Sequence, residues 1–278
     1  MIDPEYFSID HLIKTELPPL PGSVMRISAM LSDMNVSQNA LAEAISLDPI
    51  LSTRLLRLAN SAIYGLHGTV TNLSNAVSTV GNNTISETLM ISGVSDSFGR
   101  KVLISDAGKE IWFHLLGTAM AASEICRVTN MRGGDEAFSC GLLHDIGKLI
   151  LLRADSPFYT KLIERGAIEG SLIAVEREVL GFDHAELGAE AAISWNLPGP
   201  VCHMIRFHHE PSKVTAGVAM AHIINISDML VTLKAEGAEL DDLLILDSVK
   251  NLGLDSEKLD AVWHTIAVRL NEVMETFS

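Results

Sequence analysis

The chain is short of aromatic residues, cysteine and positive charge, and each shortage closes a class of function. Phe, Trp and Tyr make up 5% of its 278 residues, while hydrophobic residues reach 47%. The core is therefore expected to consist of Leu, Ile, Val, Ala and Met, and abundant Leu, Ala and Met favour helix over strand. The three cysteines, Cys126, Cys140 and Cys202, are odd in number and show no CxxC spacing. Neither a disulfide framework nor a thiolate zinc site fits that pattern, and buried reduced thiols do. Lys and Arg total 20 against 35 Asp and Glu, a net charge of −15, with no basic run. An acidic surface repels phosphate backbones, so nucleic acid is not an expected partner, although a local pocket for one phosphate stays open. No apolar run reaches the length of about 20 residues that spans a bilayer. The N-terminus, MIDPEYFSIDHLIKTE, carries acids and lacks the apolar stretch of a signal peptide. The expected location is cytoplasmic, with no membrane partner. The GxGxxG, GxxxxGK[ST] and GxSxG patterns are missing as well. Rossmann and P-loop nucleotide folds and elbow-type serine hydrolases drop out with them.

What is present is helix punctuation. Asp48-Pro49 places an N-cap beside a proline at the first helical position. The helix after it is expected to end at Gly65. Thr84-Ile-Ser-Glu87 and, more weakly, Asp183-His-Ala-Glu186 fit the capping-box pattern. The helix opened by Asp183 should stop near Trp195, before Pro198. Ser256 should start a long C-terminal helix over 257–276. Asn60 and Ser61 read as helix C-capping and turn chemistry, and Arg132-Gly-Gly134 as a turn between helices. Two-period alternation is nearly absent, with 67–73 the one candidate for an extended piece. The chain thus reads as all-α, with twelve to fourteen helices. Residues 99–108 interrupt the pattern. They suggest an N-terminal lobe over 1–100 and a second lobe over 105–278 that share a core.

Chemistry gathers in the second lobe, which holds seven of the ten histidines between 114 and 222. Its centre is Gly141-Leu-Leu-His144-Asp145-Ile-Gly-Lys148. A His-Asp doublet within an apolar helix is costly to bury unless paired or coordinated. Lys148 lies one turn on and shares its face, where it could hold a phosphate oxygen or balance Asp145. His114, His184, the His208-His209 doublet and Asp228 stand on other helices. Imidazoles with carboxylates suit iron, manganese, zinc, nickel or cobalt. His114, His144, Asp145 and Asp228 could hold one ion. His184, His208 and His209 could complete a second, in the manner that clamps a phosphoester. Plainer roles stand beside these. His144 and Asp145 could be a metal-free buried pair. Asp228 could cap or pair with Lys148, and His114 could pack under Trp112. His184 could serve the helix start, and His208-His209 could be solvated. His203 and His222 read as bystanders.

Together these segments resemble the HD superfamily of metal-dependent phosphohydrolases, and within it the HDOD domain. The resemblance runs from about Leu17 to Leu233. It is carried by Leu17-Pro-Pro-Leu-Pro21, Ala44-Ile-Ser-Leu-Asp-Pro49, Leu55-Leu-Arg-Leu-Ala-Asn-Ser61, Trp112-Phe-His114, Gly141-Leu-Leu-His-Asp-Ile-Gly147, Phe182-Asp-His184, Trp195-Asn-Leu-Pro198 and His208-His-Glu-Pro211. It implies a multi-helical HD-like bundle. It also implies a bacterial-type signalling module that works through a partner protein or a small ligand. The filled H…HD…D set implies an alternative, a metal-dependent phosphohydrolase with Asp145 and Lys148 as catalytic groups and a phosphorylated small molecule as substrate. His184, His208 and His209 also resemble the HD-GYP phosphodiesterases, but the Gly-Tyr-Pro loop is absent. The resemblance fills most of the chain and leaves no stretch for a fused receiver, so a signalling role would need a separate partner.

Overall fold

The computed structural model describes the backbone of residues 7–31, 33, 35–61 and 69–277. Among these the chain forms sixteen α-helices, one short 3-10 turn and no strand. The fold is all-α, as the composition and periodicity predict, with more helices than expected. The chain divides into two compact units, one of residues 1–18 with 101–266 and one of 19–100 with 267–278.

Helix α1 (Ile9–Thr15) belongs to the first unit. The second unit holds α2 (Gly22–Leu31), α3 (Gln38–Ser46), α4 (Pro49–Ala59) and α5 (Leu73–Leu103) as far as residue 100. Its core is apolar, with Ile27, Leu41, Ile45, Leu55, Val77 and Leu89 at 0–1% exposure. Asp48 caps α4 as expected, and its carboxylate accepts from the backbone N–H of Ile50 and Leu51. That helix ends earlier than the sequence suggests, at Ala59 with Asn60 as its C-cap. Asn60 also uses its side-chain amide to hold both the N–H and the C=O of Val70, at 2.8 and 2.9 Å. Gly65 and the start of the 67–73 segment lie outside the described residues, and Leu73 opens α5. The start expected at Thr84 falls inside α5. Helix α5 breaks instead at Gly81 and, where the sequence pattern is interrupted, at Gly99, whose φ of 78° and 73° a residue with a Cβ rarely adopts. Glu87 forms an ion pair with Arg269.

The first unit continues with α6 (Asp106–Val128), α7 (Gly134–Leu143), α8 (Ile146–Ala154), α9 (Ser156–Glu169), α10 (Leu172–Leu180), α11 (His184–Ser194), α12 (Gly199–Phe207) and α13 (Val218–Glu236). The short α14 (Asp241–Leu244) and α15 (Asp247–Asn251) and the first half of α16 (Ser256–Phe277) complete it. Gly133, with φ 95°, makes the turn between α6 and α7. Close packing of that pair rests on Gly141, where a Cβ would come within 2.8 Å of the Ala119 Cα. The capping box at Asp183 and Glu186 forms in full, and α11 stops at Trp195 as predicted. The Trp195 indole N–H donates to the Pro18 carbonyl at 2.9 Å. All three cysteines are buried free thiols. By length and composition alone α13 could cross a membrane. It carries Asp228 toward the histidines, however, and buries Met220, Ile223, Ile224, Ile226 and Leu230.

Candidate metal centre

The His144-Asp145 doublet is not inside one helix. Helix α7 ends at Leu143, His144 is its C-cap, and Asp145, at φ −105° and ψ 16°, precedes the first residue of α8. This corrects the sequence reading and removes its geometric difficulty. Adjacent residues of one helix point about 100° apart, whereas a helix junction lets both side chains face one space. Gly147 brings the next wall in. A Cβ there would stand 2.0 Å from the His184 carbonyl oxygen, so only glycine lets α8 touch the start of α11.

Five elements deliver seven side chains to that space. They are His114 from α6, His144 and Asp145 from the α7–α8 junction, His184 from α11, His208 and His209 from the end of α12, and Asp228 from α13. His144, Asp145, His184 and His208 are at most 1% exposed and form the floor. The side chains of His114, Asp228 and His209, at 19, 13 and 28%, form a rim open to solvent.

The donors form two groups that share Asp145, and a third group, His144, His208 and Asp228, links them. In one group, His114 Nε2 lies 3.2 Å from His144 Nε2, 3.1 Å from Asp228 Oδ1 and 3.6 Å from Asp145 Oδ2. In the other, His184 Nε2 lies 2.9 Å from His209 Nε2 and 3.0 Å from Asp145 Oδ1, and His208 Nε2 lies 3.4 Å from the same oxygen. Lys148 is where its spacing put it, with Nζ 2.5 Å from Asp145 Oδ2. His203 packs on Phe207 instead, and neither His203 nor His222 joins the cluster.

The far side of each buried ring is tied. The Nδ1 of His144 faces the Gly141 carbonyl at 2.7 Å, and that of His208 faces the Ile205 carbonyl at 2.7 Å. A carbonyl only accepts, so both Nδ1 atoms carry the proton and both Nε2 atoms present a lone pair. His184 Nδ1 sits 2.6 Å from Glu176 Oε2, which also accepts the His184 backbone N–H at 3.0 Å. The hydroxyl of Tyr159 donates to the other oxygen of Glu176 at 2.6 Å. Sequence reasoning missed Glu176 and Tyr159. The available signal was an acid in the buried stripe of α10, eight residues before His184.

Charge in the cluster is mutually compensated. Burial pushes the Asp145 carboxyl up, but Lys148, His144 and His184 outweigh it and hold it well below its ordinary range. Asp228 is likewise held down against burial by its hydrogen bond and charge contact with His114. Burial alone would deprotonate His184, yet the Glu176 carboxylate lifts it to about 9. His209 drops to about 2 through burial and its neighbours His208 and His184.

The donor set fits a transition-metal ion on two grounds. Imidazole nitrogens and carboxylate oxygens within 4.8 Å of one another make groups able to hold one. Two buried atoms that face each other across the floor, Asp145 Oδ1 and His208 Nε2, have no hydrogen-bond partner. Native interiors rarely leave such atoms unsatisfied, and a cation between them would satisfy both. Without an ion, His208 Nε2 stays unsatisfied and Asp145 Oδ1 has its ion-pair contact with His184 Nε2 at 3.0 Å.

Comparison with known proteins bears on the same region. The model of the HDOD domain family matches residues 17–211. An uncharacterised protein of Treponema pallidum (strain Nichols) is 32% identical over 202 residues, covering 70% of this chain. The chain spans only 38% of that relative's length. Among solved structures, an HDOD domain protein of unknown function from Geobacter sulfurreducens superposes with a TM-score of 0.78 at 23% identity, over 96% of this chain and 97% of that one. A protein of Shewanella amazonensis SB2B, a phosphohydrolase by proposal, superposes with a TM-score of 0.74 at 25% identity, over 97% and 96%.

Proposed function

This chain belongs to the HDOD family, and within that family we propose that it is a metal-dependent phosphohydrolase acting on a phosphoester of a small molecule. One observation carries the reading. Seven His and Asp side chains from five separate elements converge with their donor atoms facing one space, and the buried His208 Nε2 is left without a hydrogen-bond partner. Burying such a set without a ligand is expensive. One or two ions of iron, manganese, zinc or nickel, held by His114, His144, Asp145 and Asp228 and by His184, His208, His209 and Asp145, would polarise a phosphoryl oxygen and make water nucleophilic near neutral pH. The protein supplies the rest. The Gly141 and Ile205 carbonyls hold His144 and His208 in the tautomer that offers Nε2, and Glu176 fixes the direction of the His184 ring. Lys148 places a fixed positive charge beside Asp145, where a phosphate oxygen would gain from it. The solvent-open rim of His114, Asp228 and His209 gives a substrate its approach.

A regulatory module that binds a phosphorylated ligand or a partner protein without turnover is the second reading. The observation that favours it is the same Lys148 contact. An ammonium 2.5 Å from Asp145 Oδ2 already neutralises an oxygen that catalysis would give to an ion.

The test is elemental mass spectrometry of untagged protein purified without chelator, then a screen of phosphoester and cyclic-nucleotide substrates with Asp145→Ala as control. One to two equivalents of metal and a turnover lost in Asp145→Ala are expected. Metal without turnover leaves the regulatory reading. A metal content below about a tenth of an equivalent, unchanged after loading, overturns the metal centre, since a site of this donor set would fill under excess ion.

A further inference from the structure

A cavity beside the metal centre is walled by residues that hold no metal. We propose that the phosphoester bound at the centre carries a second anionic group, a further phosphate or a carboxylate, and that Arg177 and Arg206 hold that group in this cavity, an assignment that rests on the phosphohydrolase reading and names its substrate class.

The first observation is place and size. The cavity encloses about 310 Å³, at the small end of the range of about 300–1,000 Å³ in which small-molecule sites fall. It suits one substituent of a small molecule rather than a polymer. Helix α10 supplies Ile173, Ala174 and Arg177, the start of α11 supplies Ala185, and α12 with the turn after it supplies Arg206 and His209. His209 is the link, because it lines the cavity while its Nε2 lies 2.9 Å from His184 Nε2 in the cluster. A ligand whose scissile phosphate enters at the solvent-open rim can therefore lay its remainder in this cavity.

The second is charge. A chain of net charge −15 repels a multiply charged anion at long range, so a site for one needs cations of its own. The guanidiniums of Arg177 and Arg206 are the fixed cations of this wall. Two carboxylates line it as well, Asp183 and Glu210, and both are already engaged. Asp183 is 2% exposed, its Oδ1 accepts the Glu186 backbone N–H at 2.9 Å, and its Oδ2 lies 2.6 Å from Arg177 Nη2. Glu210 lies 2.7 Å from Lys213 Nζ.

The third is the supply of donors. Asp183 caps α11 and is buried, so its contact anchors Arg177 to a fixed point. Arg206 Nη2 meets Glu190 at 2.5 Å, in a pair whose side chains are 31 and 40% exposed. Exposed pairs contribute little and are readily exchanged for a ligand. Each ion pair engages Nη2, whereas a guanidinium carries five N–H donors in a planar fork. The remaining donors match two oxygens of a carboxylate or a phosphate. A neutral substituent brings no charge to them and gains less.

The experiment is calorimetric titration of the full chain, with its metal as purified, in chelator-free buffer at constant ionic strength. The probes are the α,ω-bisphosphates of propanediol, butanediol and hexanediol, each paired with the monophosphate of the same diol, whose far end is a neutral hydroxyl. At the spacer that fits, the bisphosphate should bind about 10-fold more tightly than its monophosphate. Arg177→Gln and Arg206→Gln should each cut that ratio several-fold. Ala174→Glu places an acid in the cavity wall. Ala174 is the third residue after the Ser171 cap, so the new side chain completes a capping box and favours the helix. The ratio should then fall to about one. Lys161→Gln removes the same charge from the exposed surface of α9, outside the cavity, and should leave the ratio as in the wild type. A ratio near one at every spacer, or a ratio that survives Ala174→Glu or both arginine variants, would overturn the proposal. The reading beneath it is judged separately, by monophosphate binding, which Asp145→Ala should weaken. Monophosphate binding indifferent to Asp145→Ala would overturn the phosphohydrolase reading even where the ratio still depends on the arginines.

Discussion

The two compact units bury different things. The unit of residues 19–100 and 267–278 has a hydrocarbon core. Among its described residues the buried polar side chains are Glu87, Thr88, Ser92 and Ser95, of which Thr88 donates to its own helix and Glu87 pairs with Arg269. Among the described residues, the unit of 1–18 and 101–266 buries Thr118, His144, Asp145, Glu176, Asp183, His184, His208 and Ser227. Five of these eight belong to the cluster or touch it directly, as His144, Asp145, Glu176, His184 and His208 do. Polar burial works against folding unless something compensates it. A chain that concentrates that cost in one unit, while its other unit packs with little of it, marks the first as the place where the pocket's chemistry is kept.

The largest effects on that contrast come from the cores. Phe138 on α7 and Leu55 on α4 are each 1% exposed. Phe138→Ala should lower stability by about 3–5 kcal/mol and Leu55→Ala by about 2–5 kcal/mol, from lost transfer energy and the cavity left behind. Their metal content should diverge. Helix α7 delivers His144, so Phe138→Ala should also loosen metal, while folded Leu55→Ala should retain the wild-type complement. Urea melts paired with elemental analysis of the folded fraction measure both. Loss of metal from folded Leu55→Ala would break the contrast between the units.

Next in size is a pair of glycines. A methyl at Gly147 meets the His184 backbone, while one at Gly22, the first residue of α2, meets nothing within 4 Å. Gly147→Ala should destabilise by about 1–3 kcal/mol as α11 is pushed away. It should reduce metal binding as well, because His184 opens that helix. Gly22→Ala should leave stability unchanged or raise it by about 0.4–1 kcal/mol through the unfolded chain. Thermal melts with and without chelator distinguish the two.

How legible these features are in the sequence follows from their range. Local devices can be read, because a cap and its partner lie within four residues. Asp48 with Pro49, and Asp183 with Glu186, are found where the pattern puts them. All-helical character and HDOD membership are also legible, since both rest on composition and on short segments in order. Three things escaped. The doublet at 144–145 reads as helical, since nothing local announces that α7 stops at Leu143. The start placed at Thr84 follows a sound capping pattern, but the positive φ of Gly81 breaks α5 three residues earlier. Glu176 reads as one more charge on an amphipathic helix. Its meaning comes from Tyr159 and His184, 17 residues before and 8 after, which only packing brings together.

The smallest expected effects come from those two caps, and they separate stability from site geometry most cleanly. Asp48 and Asp183 each cap a helix of 11 residues by accepting backbone N–H groups. Replacing either with Ala should cost about 0.5–2 kcal/mol, so the two melts should fall by similar amounts. Asp183 also meets Arg177 at 2.6 Å, but that arginine is half exposed and adds little. What differs is the next residue. After Asp48 comes Pro49, which touches no functional group. After Asp183 comes His184, whose backbone N–H and ring are both held by Glu176. Fraying the first turn of α11 frees that ring, so Asp183→Ala should weaken metal retention in a dilution assay, and Asp48→Ala should not. Equal retention in the two variants would mean that Glu176 alone fixes His184 and that the capping box serves only the helix. Loss in Asp183→Ala alone would mean that the helix start and the buried carboxylate together aim the imidazole.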